Sequence, residues 1–213
     1  MRIRDDLPYE ILDIDQRSPE WFEVRANCVT GTTAKYLIRE GLAMTLDRVK
    51  SNLEYHKSHP YVGAAAKRGQ ELEPVARDLI NRKMAMSKAT KNVRFEEVGF
   101  VRRKDIEHAG GSPDGVYIEE EKIKFNLEIK CFMEKHHLEC SGVPDEEIMY
   151  QIQWCLWLDG AECCFFVQYN PDMLDPEKTS DGKAHPDQVL FITKIYPKKE
   201  YFEAFERKLA EEL

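Results

Sequence analysis

The stretch GGSPDGVYIEEEKIKFNLEIKC, Gly110 to Cys131, is where reading the chain begins. Its glycine-flanked Pro113-Asp114-Gly115 is turn chemistry. GVYIE and KFNLEIKC, apolar and β-branched around a charged EEEK, predict two strands of a hairpin. Alternation along the second strand puts Leu127, Ile129 and Cys131 on one face, Glu128 and Lys130 on the other. On an edge strand, Glu128 and Lys130 are an ordinary solvent-facing pair and Asp114 a turn residue. On a central strand both charges project from a buried surface and need partners.

A hard divalent cation is one such partner. Mg2+ takes oxygen ligands and keeps several waters. Asp114 and Glu128 offer carboxylate oxygens, and Ile129 offers its backbone carbonyl. Lys130 then sits where it orients an attacking water and stabilises charge on a phosphate. That set implies metal-assisted hydrolysis of a phosphodiester.

The remainder of the chain frames this hairpin. In QRSPEWFEVRANC, Ser18 suits a helix N-cap and Pro19 the first helical position. VTGTTAKYLIRE reads as a second helix capped by Thr30 or Thr32, and TLDRVKSNLEYHK as a third. AAAKRGQELEPVARDLINRKM is a longer helix with Leu72, Val75, Ala76, Leu79 and Ile80 on one side. Pro74 belongs in its first turn or at a kink. Strand signals run through RFEEVGFVRR, GVYIE, KFNLEIKCF, CCFFVQYN and QVLFITKIY. DEEIMYQIQWCLWLDG, acidic at its start and closed by Gly160, is a helix between the third and fourth of these. KKEYFEAFERKLAEEL is a terminal amphipathic helix, read as core packing. Helices first, then a mixed sheet with one crossover helix, predict a single α/β or α+β domain.

Two polar residues stand out on these helices. Gln151 lies in the stripe of Ile148, Ile152, Cys155 and Leu158, on a helix apolar nearly all round. A buried amide needs hydrogen-bond partners, either within the core or as a water or phosphate oxygen beside a metal. Glu73 is either a surface acid paired with Arg77 at i+4 or a second acid of the site.

Charge and cysteine content narrow the classes. The 213-residue chain carries a net charge of −8, unlike a generic nucleic-acid binder. Residues 64–104, however, hold eleven Lys/Arg against five Asp/Glu, and residues 105–213 eleven against twenty-four. The basic segment is either a phosphate-facing patch or a solvated helix face. No apolar run is long enough for a membrane span, and the charged MRIRDDLPYE is no secretory signal. The six cysteines, none in a C-x-x-C pair, are read as reduced thiols of a cytoplasmic protein. Cys131, His136, His137 and Cys140 are the one cluster that suggests zinc, against the plainer reading of a strand end and polar loop.

In order, the motifs EWFEVRANCVTGTTA, KRGQELEPVARDLI, GGSPDG, LEIKC, YQIQWCLW and FFVQYNPD resemble the phage lambda exonuclease family. These are the YqaJ-type viral recombinases, or alkaline exonucleases, of the PD-(D/E)xK nuclease superfamily. The resemblance runs from about Trp21 to about Tyr169, with Glu-x-Lys following fourteen residues after the Asp. It implies one restriction-endonuclease-like α/β domain over 1–213: N-terminal helices 18–90, a catalytic sheet with its crossover helix at 95–195, and a C-terminal helix 197–213. It implies Asp114 and Glu128 as metal-binding acids with the Ile129 carbonyl, Lys130 as catalytic lysine, Glu73 as the helix acid assisting the metal, and Gln151 as the crossover-helix glutamine. Arg25, Thr32 and Ser112 match the pocket for a 5′-phosphate, with Thr32 standing where the family has a serine. Arg25 otherwise reads as an intrahelical partner of nearby acids.

The resemblance further implies Mg2+, with Mn2+ as substitute, in a two-metal site. The implied activity is 5′→3′ digestion of one strand of double-stranded DNA, leaving 3′ single-stranded overhangs. The implied partners are two further copies in a trimeric ring and a phage single-strand annealing protein, in a bacterial cytoplasm. Two alternatives stay open: a PD-(D/E)xK endonuclease, and a non-catalytic DNA-binding module of the same fold.

Overall fold

The computed structural model describes residues 3–58 and 63–211. Residues 59–62 and 212–213, which the expected ranges 18–90 and 197–213 include, lie outside that description. Four strands form the main sheet: β4 (Gly115–Glu119), β5 (Lys122–Lys130), β6 (Cys163–Tyr169) and β7 (Leu190–Ile195), in the order β4-β5-β6-β7. β4 and β5 are the expected hairpin, antiparallel with Gly115 opposite Leu127. Glu120 and Glu121 both take positive φ, 51° and 58°, in the tight turn between them. β5 and β6 run parallel, with Lys130 opposite Gln168, and β6 pairs antiparallel with β7. β5 is therefore central, and its Glu128 is buried, with Lys130 partly so.

A second, smaller sheet was not expected. It joins β1 (Tyr9–Leu12), β2 (Phe100–Arg103) and β3 (Gly110–Gly111). β3 is two glycines long, a length that carries no alternation to read. Gly110 has a physical reason: a Cβ there would stand 2.3 Å from the Phe100 ring. Of RFEEVGFVRR, only the last four residues are strand; Glu96 makes a single bridge to Val116.

The helices are α1 (Pro19–Arg25), α2 (Ala34–Glu40), α3 (Leu42–Ser58), α4 (Ala64–Ala85), α5 (Glu134–Cys140), α6 (Glu146–Asp159) and α7 (Lys199–Ala210). α1 starts as read: the Ser18 hydroxyl accepts from the Trp21 N–H, with Pro19 first in the helix. Before α2, a short 3-10 turn covers Gly31–Thr33, and the Thr33 hydroxyl accepts the Thr30 N–H at 2.8 Å. Pro74 lies in the interior of α4 and not in its first turn, so no N–H at that position serves the Gln70 carbonyl. The buried stripe of α4 is Ala76, Ile80 and Met84, and Val75 is exposed.

The sheet is packed between two helices, and its alternation decides which residues meet which. Leu127 and Ile129 of β5 share a core with Phe165 and Val167 of β6 and with α4. Cys164 and Phe166 share the other core with Ile152, Trp154 and Leu158 of α6 and Phe205 and Leu209 of α7. The terminal helix is thus core packing, its Phe205 ring edge-on to Trp154 at 5.1 Å. Glu128 belongs to the α6 face.

Candidate active site

The C-terminal end of β5 gathers the charges. Glu128 is 3% exposed, and its Oε1 accepts from the Lys130 ammonium. Asp114, half-buried just before β4, accepts the Ile129 N–H on Oδ2 at 2.7 Å. That bond draws the turn residue onto the strand. Arg77 of α4 donates to the Asp114 carbonyl and also pairs with Glu97. Glu73, one turn earlier, pairs with Arg17 at 3.2 Å and not with Arg77, because Arg77 is turned toward the hairpin.

Burial and the Glu128 carboxylate push the Asp114 pKa well up, with Lys130 pulling against them. Burial would lower Lys130, yet the Glu128 and Asp114 carboxylates outweigh it and raise the lysine, which stays protonated. More carboxylates than ammonium groups therefore meet here, which favours an added cation. The donors are hard oxygens, and each engaged carboxylate keeps a second oxygen. Among the described residues, no three His, Cys, Asp or Glu side chains converge as a complete ligand set. The fit is to an ion that takes few protein ligands and completes its shell with backbone oxygen and water, as Mg2+ does.

A second group lies on α1 and the turn after it. Arg25 Nη2 donates to Thr32 Oγ1 at 2.8 Å, and its guanidinium lies 4.7 Å from the centre of the Trp21 ring. Trp21 Nε1 donates to Ser112 Oγ at 2.8 Å, and Ser112 donates onward to the Gly99 carbonyl at 2.7 Å. The three expected phosphate-binding residues are thus linked, through a tryptophan that the sequence reading did not single out. Its signal was its place at i−4 to Arg25. The hydroxyl hydrogen of Ser112 is directed to Gly99. Burial pulls the Arg25 pKa below its ordinary value, and among the described residues no carboxylate pairs with it. The expected intrahelical ion pair of Arg25 is absent among them.

Of the two glutamines on α6, the satisfied core amide is Gln153 and not Gln151. Gln153 is the fully buried amide, satisfied by the Tyr196 carbonyl at 2.9 Å and the Lys198 N–H at 2.8 Å. Gln151 is half-buried and lines a cavity of about 320 Å3 with Thr32, Lys35 and Phe132. Gly31 lets the two elements touch: a Cβ there would lie 2.9 Å from Gln151 Cγ. The zinc alternative fails on geometry. Residues 134–140 form α5, not a loop; His137 turns inward to the Gln188 carbonyl while His136 stays half-exposed near Asp145.

Much of the basic segment is paired with acids: Arg68 with Asp172, Arg82 with Asp78, Arg102 with Glu10 and Arg103 with Asp105. Lys83, Lys88, Lys91 and Arg94 are exposed and, among the described residues, form no ion pair. No helix among the described residues is long and apolar enough to cross a membrane.

The architecture matches known structures along nearly the whole chain. An alkaline exonuclease (LHK-Exo) from Laribacter hongkongensis aligns at 24% identity with a TM-score of 0.67, covering 91% of this chain and 90% of that one. The same enzyme in complex with dAMP aligns over the same shares at TM-score 0.69. A phage-related exonuclease from Haemophilus somnus 129PT aligns at 15% identity and TM-score 0.52, covering 86% and 90%. No curated protein sequence matches the chain. The fold is the α/β fold of the alkaline exonucleases, as the motif order implied. The family model of the YqaJ-like viral recombinase domain matches residues 20–162, most of the chain. On that match, the chain belongs to the YqaJ-like viral recombinase family.

Proposed function

We propose that this chain is a metal-dependent 5′→3′ exonuclease of double-stranded DNA that releases mononucleotides and leaves 3′ single-stranded overhangs. The observation that carries the reading is the convergence of Asp114, Glu128 and Lys130 at one end of a central strand. Asp114, Glu128 and the Ile129 carbonyl would hold Mg2+, or Mn2+ in its place, with Glu73 assisting. Two such ions, when bound, supply activation of the attacking water and relief of charge on the leaving 3′-oxygen. Lys130, kept protonated by its carboxylate neighbours, orients that water and offsets charge on the phosphate. Gln151, at the cavity wall beside Thr32, holds a water or phosphate oxygen.

Arg25 and Thr32 would receive the terminal 5′-phosphate and so set the register of the cut. A half-buried guanidinium with no carboxylate partner among the described residues suits an anionic ligand. Ser112 would contribute by holding Trp21 under Arg25, or by turning its hydroxyl from Gly99. The solved relative bound to dAMP supports a mononucleotide product. The exposed basic residues from Lys83 to Arg94 support a DNA-facing surface, such as a trimeric ring around the duplex. A single-strand annealing protein would then take the 3′ strand, in a bacterial cytoplasm.

The test is a digestion series with Mg2+ on linear duplexes bearing 5′-phosphate or 5′-hydroxyl ends, alongside a closed circle. Mononucleotides from the phosphorylated ends, with the circle intact, are expected. Nicking of the circle would move the assignment to an endonuclease. Retained binding with no cleavage under any divalent ion would make the chain a binding module. Arg25→Ala is expected to slow phosphorylated ends about tenfold or more and to leave 5′-hydroxyl ends nearly unchanged, on the scale of a lost charge-assisted contact. Equal losses on both would assign Arg25 to structure.

A further inference from the structure

Arg17 is the residue that neither the hairpin chemistry nor the phosphate pocket accounts for. Its turn is held on both sides. The Gln16 amide donates to the Val98 carbonyl at 2.8 Å, the Ser18 N–H donates to the Asp15 carbonyl at 3.1 Å, and Ser18 caps α1. Between these anchors Arg17 takes φ 69°, the left-handed region where glycine is at ease and a Cβ is not. A side chain at this position works against its own backbone. What it reaches is Glu73, 56 positions along the chain, with Nη2 at 3.2 Å from Oε2. The sequence offers Glu73 a nearer cation in Arg77, but that guanidinium is spent on Asp114 and Glu97. Glu73 therefore takes its counter-charge from outside its own helix.

The pair is built to open. Arg17 is 45% exposed, and it lines a groove of about 720 Å3 with Phe22, Asn27 and Lys50, which gives the guanidinium room away from Glu73. A carboxylate cannot present the same lone pairs to a guanidinium and to a divalent ion. Cation binding that draws on Glu73 must therefore break or share this pair.

We infer that Arg17 is a positioning residue: it occupies the Glu73 carboxylate in place of a cation and weakens the hold of the site on a divalent ion. The inference rests on the reading of Glu73 as the acid that assists the metal. A half-exposed ion pair of this kind is expected to weaken metal binding about two- to fivefold. Its release sets the Mg2+ concentration at which the site fills.

The experiment is calorimetric titration of the full chain with Mn2+, in the absence of DNA, for the native protein and for R17A, R17G, R17K and E73Q. R17A and R17G are expected to bind Mn2+ about threefold tighter, R17K to bind like the native chain, and E73Q to bind more weakly. In the E73Q background, R17A is expected to change nothing. Because R17G also removes the backbone strain, equal tightening by R17A and R17G assigns the effect to charge. Unchanged Mn2+ binding in R17A and R17G, with E73Q weakened, would overturn the inference and leave Glu73 as a metal acid. Unchanged binding in E73Q would overturn the role of Glu73 and this inference with it.

Discussion

Strand β5 passes two buried carboxylates on its α6 face, and the two are treated differently. Near its C-terminal end, Glu128 meets the Lys130 ammonium, with Asp114 close by and Glu73 held by Arg17. Two residues back, Asn126 faces Asp159, the last residue of α6. Asp159 Oδ1 accepts the Ala161 N–H at 3.0 Å and the Asn126 amide at 3.3 Å, while its Oδ2 and the Asn126 oxygen are buried without a partner. Burial pushes the Asp159 pKa up to about 7. Asp159, buried with no cation beside it, is pushed toward its neutral form; at the other end burial raises Asp114 too, but a lysine whose own pKa is raised by its carboxylate neighbours sits among several acids, an arrangement that favours another cation. That contrast, rather than burial itself, separates a candidate site from a structural acid.

The sharpest way to break the contrast is to remove the lysine. Lys130→Ala is expected to reduce cleavage by about a thousandfold or more, with DNA still retained in a gel-shift assay. It should also cost about 1–3 kcal/mol in urea unfolding without divalent ions, since Glu128 is left buried with no counter-charge. Added Mg2+ should recover part of that loss. A variant that unfolds at the native urea midpoint would show that Glu128 never depended on Lys130.

At the other carboxylate the expected effect is smaller and depends on pH. Folded Asp159 keeps its proton up to about pH 7, whereas the unfolded side chain releases it near 3.8. The folded chain thus binds more protons between these values. The stability this group contributes is complete below about pH 3.8 and is lost as pH rises through 7. At about 1.4 kcal/mol per pKa unit, the loss by pH 8 is on the order of 2–4 kcal/mol. Asp159→Asn removes the titration and carries a donor at every pH, where the acid carries one only while it is protonated. Its advantage over the native chain in urea midpoint should grow from pH 5 to pH 8. A constant difference across that range would mean that Asp159 is already ionised in the fold.

The hairpin and the crossover helix were legible because their signals are local. KFNLEIKC alternates, GVYIE is a run of strand-favouring residues, and Asp145 and Gly160 bound α6 as cap residues should. The small sheet was not legible: β3 is two glycines, and β1 pairs with β2 across most of ninety residues. Alternation told correctly that Glu128 and Lys130 share a face, but not that Lys130 answers Glu128. Helical periodicity could not tell Gln151 from Gln153. Both lie on an apolar helix, and only the packing of Gly31 on one side and the Tyr196–Lys198 backbone on the other distinguishes them. Arg17 was invisible for a deeper reason. Its partner is fixed by a turn conformation, φ 69°, that an arginine does not advertise.

That turn supplies the smallest effect, and it sharpens the comparison most. If the carboxylate-rich end is assembled by charge, its flanking arginine is retained in spite of its backbone. Arg17→Gly loses a half-exposed pair, about 0.2–1 kcal/mol, and raises the entropy of the unfolded chain, but it gains relief of a left-handed residue, about 1–2 kcal/mol. The net change in stability should lie within about 1 kcal/mol of zero. Arg17→Ala loses the same pair and keeps the strain, so it should unfold about 1 kcal/mol more easily than Arg17→Gly. Equal stability of the two would mean that the turn relaxes once the arginine leaves, and that the ion pair with Glu73 is what holds it in the left-handed region.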